Sequence, residues 1–184
     1  MASLKQIGAY LLLGMVWCAC ENDPAEVQAL TRKVQEVEEG KDISATISES
    51  GLIKAKLYAP VMLRVKADSQ YAEFPNTIYI DFYKDSITRE STLKAKYARY
   101  YENLGKAFLH DSVVVYSTRG DTLYAKTLWW DQYKQEFTSD DSVYINSPTQ
   151  TMRGTGLWAL SNLDKWIIRN SVGQLPIPDS VRPQ

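Results

Sequence analysis

The 184-residue chain has little of several residue types, and each shortage excludes a class of protein. It contains only two cysteines, Cys18 and Cys20, so its body has no disulfide framework. A single histidine, His110, leaves little material for a histidine-based metal cluster or a base–nucleophile pair. Lys plus Arg (21) and Asp plus Glu (22) leave a formal net charge of -1. That balance argues against nucleic acid as a partner, because binding to the phosphate backbone requires clustered positive charge.

Catalytic motifs are also scarce. The run His110-Asp111-Ser112 contains the residue types of a catalytic triad, but neighbouring side chains of a strand point to opposite faces. We therefore expect that these three do not converge on one substrate atom. The acidic pair Asp140-Asp141 lacks the ligand spacing of an EF-hand loop, and no glycine-rich phosphate loop is present. The sequence predicts a protein that is not an enzyme and that holds no metal and no cofactor.

The longest apolar run is short and lies near the N-terminus. It extends from Ile7 to Trp17 after the basic Lys5, and it is shorter than the roughly 20 residues of a transmembrane helix. Ala19 before Cys20 is typical of a bacterial lipobox, although Trp17 is an unusual residue three positions before the cysteine. We therefore predict a lipoprotein signal peptide over residues 1–19 and a lipid anchor on Cys20. A plain secretory signal or a short membrane anchor with incidental cysteines is the alternative.

Residues 20–41 are polar and rich in charge, with apolar residues at helical spacing. Val27, Leu30, Val34 and Val37 recur every three or four residues, and Gly40 suits the end of a helix. The pattern predicts a short helical tether between the lipidated terminus and the body.

The body is predicted over residues 42–173 and is followed by a predicted Pro-rich tail over residues 174–184. It is rich in aromatic residues and alternates with a period of two. Twelve Tyr and five Trp favour strands. Between residues 53 and 65 the apolar side chains fall at odd positions, which predicts one apolar face. Pro60 interrupts this run and indicates an edge position or a bend. The opposite face is basic and could meet lipid phosphates or an acidic partner, or simply be solvated; it carries Lys54, Lys56, Arg64 and Lys66. Lys94 and Lys96 form a second such row.

An internal repeat is the strongest signal in the body. Thr92–Val115 aligns without a gap on Thr122–Ile145, with identical residues in the opening T-L-x-A-K and in the later D-S-V. Each unit is predicted to be a strand, a turn and a strand, with turns near Asn103–Lys106 and Gly120-Asp121. Such units stack to bury a continuous interior. The fold class is therefore predicted as all-β, a twisted open β-jelly roll, with a conventional β-sandwich as the alternative.

The alternation also defines an inward-facing row. A packed core explains this row without any ligand, and the small alanines among large apolar side chains are compatible either with interdigitated packing or with room for acyl chains. The predicted lining of such a groove is Ile53, Ala55, Leu57, Ile80, Leu93, Ala95, Tyr97, Val113, Val115, Leu123, Ala125, Trp129, Phe137, Val143, Ile145, Leu157 and Ala159. Ala107 and Leu109 extend the same row.

The C-terminal part of the body resembles a known family. Gly156-Leu157-Trp158-Ala159, followed by Asn162-Leu163 and Trp166-Ile167-Ile168, is similar to the closing G-x-x-A…W-x-I signature of the LptC family. Read with the preceding L-x-A…D-S-V hairpins, the resemblance extends over roughly residues 42–173. It implies a pair of twisted sheets in an open V whose apolar interior carries the acyl chains of lipopolysaccharide.

The resemblance also implies partners and a location. The N-terminal edge would dock on the inner-membrane ABC transporter, and the C-terminal edge would add to the next, LptA-like jelly-roll protein. Family members are expected to carry an N-terminal transmembrane helix, whereas this chain has a lipobox. The expected location is therefore the periplasmic side of the inner membrane through a lipid anchor, or alternatively the outer membrane. The transporter would supply the energy for lipid movement by hydrolysing ATP.

Two other functions compete with transport. A β-sandwich lipoprotein could bind glycan on an outer platform formed by Tyr100, Tyr101, Trp129, Trp130 and Tyr133. That alternative predicts aromatic side chains on the outside and a closed, fully packed interior. A scaffold without a ligand would show neither an outer platform nor an open interior.

Overall fold

The computed structural model describes residues 36–66 and 70–174. The predicted signal peptide, Cys20 and residues 20–35 of the tether lie outside these ranges, as does the predicted Pro-rich tail from residue 175 onward. The described chain is all-β, and no helix in it could span a membrane. Its strands are β1 (Glu36–Glu49), β2 (Leu52–Lys66), β3 (Tyr71–Phe74), β4 (Ile78–Tyr83), β5 (Arg89–Ala95), β6 (Tyr97–Tyr101), β7 (Lys106–Ser117), β8 (Thr122–Asp131), β9 (Glu136–Asn146), β10 (Thr151–Leu160) and β11 (Trp166–Gln174).

All eleven strands form one antiparallel sheet, and this confirms the predicted all-β jelly roll. Strand β2 pairs with β4 through its first half and with β3 through its second half. Strand β7 pairs with β6 through its first half and with β5 through its second half. Because β4 pairs with β5 and β3 pairs with β6, the strands from β2 to β7 close into a ring of pairings.

The long strands turn a corner that divides the sheet into two facing layers. The first layer holds β4, β5 and the adjoining halves of β2 and β7, and the second holds β3, β6 and the other halves. In β2 the corner lies at Pro60, which has no N–H for a ladder, opposite Asp42 with a φ of 50°. In β7 it lies at Asp111 and Ser112, whose φ angles are 62° and 54°. Pro60 thus marks a bend, one of the two predicted outcomes.

The sequence repeat is also a structural repeat. Units Thr92–Val115 and Thr122–Ile145 each run from the first layer through a corner to the second, turn, and return. The turns close at equivalent residues, Gly105 and Gln135, both with positive φ. The buried positions of the first strand match as well: Leu93 and Leu123, Ala95 and Ala125, Ala98 and Leu128.

The core lies between the two layers. Phe82 of the first layer meets Trp130 and Phe137 of the second, with ring centroids 5.2 and 5.6 Å apart. All three are at most 2% exposed. Most of the predicted inner row joins this core, namely Ala55, Leu57, Ile80, Leu93, Ala95, Ala107, Leu109, Val113, Val115, Leu123, Ala125, Phe137, Val143, Ile145, Leu157 and Ala159.

Three of the predicted inner residues do not lie there. Tyr97 and Trp129 point to the outer face, where Tyr97 stacks on His110 at 4.2 Å and Trp129 is 38% exposed. The reason is the corner that precedes each of them: it shifts the inward positions from odd to even numbers, as Ala98 and Trp130 show. Ile53 is half-buried at the start of β2 and lies outside the core cluster.

The prediction of a helical tether is wrong at the C-terminal end of that segment. Residues 36–41 are strand rather than helix, because they pair in register with β2, from Glu36 opposite Lys66 to Lys41 opposite Val61. Cross-strand pairing outweighs the weak helical spacing that ends at Val37. At the other end, Gln174, predicted to begin the tail, is the last residue of β11.

Candidate functional site

An apolar cavity lies between the layers at the N-terminal side of the sheet. Its volume is about 320 Å³, within the roughly 300–1,000 Å³ typical of ligand pockets. Ala45 of β1 lines it and is nevertheless exposed, so the cavity opens to solvent along the edge strand. The residues around it are Ile43, Ala45, Ile47, Leu57, Met62, Arg64, Ala72, Phe74, Ile78, Ile80, Ala98, Tyr100, Glu102, Ala107 and Trp130.

The position of this cavity follows from the edge strand. Strand β1 covers the ring of strands through Ile43 and Ile47, which are only half-buried, while the next strands contribute buried side chains such as Ile80. Toward the C-terminal side, Phe82 and Phe137 fill the space between the layers. The apolar cavity therefore opens at the β1 side, and the core beyond it is packed around these rings. A separate cleft of about 400 Å³ lies beside Phe82, lined by both polar and apolar residues such as Lys54 and Leu160.

Charged side chains form the rim of the cavity in the second layer. Arg64 and Glu102, both lining residues, are paired, with Nε and Nη2 of Arg64 lying 3.0 and 2.9 Å from Oε1 of Glu102. Beside this pair, Nζ of Lys66 lies 2.6 Å from Oε1 of Glu38 on β1. The hydrogen bond from Lys66, its charge and that of Arg64 lower the pKa of Glu38 below its usual value. An apolar interior with an ionic rim suits an amphiphile better than a fully apolar or fully polar ligand.

Two polar groups lie among the apolar lining. The hydroxyl of Tyr100 donates a hydrogen bond to Oε1 of Gln132 at 2.7 Å, and burial raises the pKa of Tyr100. Trp130 occupies the equivalent position of the second repeat, 1% exposed. Its indole Nε1 is buried and has no hydrogen-bond partner among the described residues.

Of the predicted inward-facing row, the structure brings Leu57, Ile80 and Ala107 to this cavity. The other buried members are packed in the core between the layers, so a role in contacting lipid stays a prediction for all of them. Sequence reasoning missed Ile43, Ala45 and Ile47, although their odd-numbered alternation with polar residues was a usable signal.

The predicted basic face of β2 is split by the corner at Pro60. Lys56 alternates with the buried Ala55 and lies on the outer side of the first layer, whereas Lys54, at the start of the strand, lines a cleft together with Phe82 and Leu160. Arg64, beyond the corner, lines the cavity. In the second basic row, Lys94 also lies on the outer side of the first layer. Its Nζ is 5.2 Å from the centroid of the Tyr79 ring.

The aromatic residues of the glycan alternative do not form one platform. Tyr101 and Trp129 stack on the outer face with centroids 6.1 Å apart, and Tyr133 is exposed. Tyr100 and Trp130, by contrast, line the interior cavity. The interior is also not fully packed, as that alternative required.

The catalytic-looking run lies at the corner of β7. Nδ1 of His110 is 2.8 Å from Oδ2 of Asp111, a contact that the left-handed backbone of Asp111 allows and that strand alternation alone would not predict. No hydrogen bond in the described part of the chain joins Ser112 to this pair. Within residues 36–66 and 70–174, no group of three or more His, Cys, Asp or Glu side chains is placed to hold a metal ion.

Comparison with known proteins adds a family assignment. The family model described as "LptC: Lipopolysaccharide-assembly, LptC-related" matches residues 9–169, most of the chain. A search of curated proteins finds no match.

Proposed function

The chain belongs to the LptC-related family of lipopolysaccharide-assembly proteins, and from this premise we propose that it is a periplasmic link of the export bridge that holds lipopolysaccharide acyl chains in its interior cavity. The family takes part in lipopolysaccharide export, faces the periplasm and is not known as an enzyme. In the proposed role, lipid arrives from the inner-membrane ABC transporter and leaves toward an LptA-like jelly-roll protein. A lipid anchor on Cys20 would hold the protein at the inner membrane.

The observation that carries the proposal is the cavity itself. A volume of about 320 Å³ with Ile43, Leu57, Phe74 and Ile80 among its lining is a favourable environment for hydrocarbon. It opens at β1, the N-terminal edge strand, which is the side from which the transporter would deliver lipid.

The two ends of the sheet support the bridge role. Among the described residues, β1 pairs only with β2, and β11 pairs only with β10. Each strand therefore has one side that can accept a further strand from a partner. The transporter is the proposed partner at β1 and the LptA-like protein the proposed partner at β11.

Photocrosslinking in cells that make lipopolysaccharide tests the proposal. A photoreactive amino acid would replace Ala45 or Leu57, which line the cavity, and in matched controls Ser44 or Tyr58, their exposed neighbours on the same strands. We expect lipopolysaccharide adducts at Ala45 and Leu57 and not at the controls. Absence of adducts at both cavity positions, in protein that is folded and membrane-bound, would overturn the transport function.

A further inference from the structure

Arg64 and Glu102 are unusual because they are charged and yet line an otherwise apolar cavity. Both lie near the ends of their strands in the second layer, Arg64 close to the end of β2 and Glu102 immediately after β6. Their side chains are 48% and 33% exposed, so they stand where the cavity meets solvent. A headgroup attached to chains inside the cavity would lie next to them.

The geometry of this pair leaves Arg64 able to recognise an anion. Nε and Nη2 of Arg64 both contact the single oxygen Oε1 of Glu102. A phosphate or carboxylate offers two oxygens to the guanidinium fork and can form the two parallel hydrogen bonds that one oxygen cannot. Because the pair is partly exposed, it is only weakly stabilised by its own attraction and can be exchanged for a ligand.

From these observations we propose that Arg64 is the residue that selects cargo with an acidic headgroup, with Glu102 as the partner that the headgroup displaces. The inference rests on the proposed function and specifies it: the ligand is an acylated lipid whose anionic group binds at the rim while its chains occupy the cavity. The carboxylate of Glu102 then competes with the anionic group of the ligand for Arg64. It pairs with Arg64 when no ligand is bound, and it lowers the affinity for the ligand.

The experiment uses the purified, detergent-solubilised full chain with a photoreactive residue at Ala45. The probes are labelled lipid A that carries its phosphates and the same lipid A after their removal. The variants are Arg64→Gln and Glu102→Gln. Matched controls are Arg89→Gln and Glu73→Gln, which break the outer-face pairs Arg89–Asp81 and Arg99–Glu73 with the same changes of charge.

We expect the wild type to capture the phosphorylated lipid preferentially. Arg64→Gln should weaken capture of the phosphorylated lipid by about tenfold, which is about 1.4 kcal/mol, and abolish the preference, since it removes the charged fork that binds the phosphate. Glu102→Gln should strengthen that capture. Neither control should change it, and circular dichroism should show that all variants are folded.

The other outcomes separate two failures. Equal capture of both lipids by the wild type and by Arg64→Gln would overturn the role of Arg64 and leave the transport function standing. Equal weakening by Arg64→Gln and Arg89→Gln would overturn it too, since net charge alone would then explain the effect. Capture of neither lipid at Ala45 would overturn the proposed function and this inference together.

Discussion

At the residue scale, Phe82 joins the two layers. It lies on β4, is 2% exposed, and packs edge-on against Trp130 and Phe137 of the opposite layer. Phe82→Ala should lower the free energy of unfolding by about 3–5 kcal/mol, because it removes a buried ring and leaves a cavity. Urea unfolding followed by circular dichroism measures the loss. Tyr116→Ala, at a 46% exposed position, should cost much less, within about 1 kcal/mol; equal losses would contradict the assignment of Phe82 to the core.

Tyr97 gives a prediction on pH. Burial, followed by the hydrogen bond to Glu73, raises the pKa of Tyr97 to about 12. The unfolded chain loses this proton near pH 10 while the folded chain keeps it, so the contribution of Tyr97 is complete below pH 10 and disappears as the pH rises to about 12. Denaturant unfolding at pH 9 and pH 11.5 should show a larger loss of stability for the wild type than for Tyr97→Phe. Identical losses of stability in the two proteins would contradict the raised pKa of Tyr97.

At the element scale, the last strand depends on a glycine of its neighbour. Gly154 of β10 lies opposite β11, and an added Cβ would collide with the backbone of Asn170 and come within 2.6 Å of Cγ2 of Ile168. Gly154→Ala should therefore displace β11 while leaving the rest of the sheet paired. Hydrogen exchange should show lost protection of the amides of β11. Gly51→Ala, in the β1–β2 turn with nothing within 4 Å, should leave β11 unchanged; retained protection in Gly154→Ala would contradict the prediction.

How far the elements could be predicted from the sequence depends on the corners. The period of two correctly placed Leu93 and Ala95 inside, because strand alternation is a local property. It failed at Tyr97 and Trp129, because a corner changes which face is inward and its position depends on pairing between distant strands. Pro60 was the one corner with a visible signal. The position of the cavity could not be predicted, since it depends on how β1 covers the ring.

At the scale of the whole molecule, the two layers are joined on both sides. On one side they are continuous through the corners of the long strands. On the other, the hydroxyl of Ser91 donates a hydrogen bond to the carbonyl of Ser161 at 2.6 Å, and Arg119 pairs with Asp164. These contacts form a seam toward the C-terminal side, beside the cleft lined by Phe82 and Leu160, and the apolar cavity lies at the N-terminal side. In the proposed transport function, lipid that enters at β1 passes this seam, made by Ser91–Ser161 and Arg119–Asp164, before it reaches β11.

The seam provides a test of this arrangement. Ser91 is 1% exposed, so Ser91→Ala removes a buried donor from the Ser161 carbonyl and should lower the free energy of unfolding by about 1–3 kcal/mol. Thr118→Ala removes an exposed hydroxyl bonded to the carbonyl of Glu90 within one layer, and should cost no more than about 0.5 kcal/mol. In cells, Ser91→Ala should also increase lipopolysaccharide adducts at a photoreactive residue placed at Leu157, inside the packed half. If adducts at Leu157 rise equally in Thr118→Ala, or rise in neither variant, the seam does not control the passage of lipid through the interior.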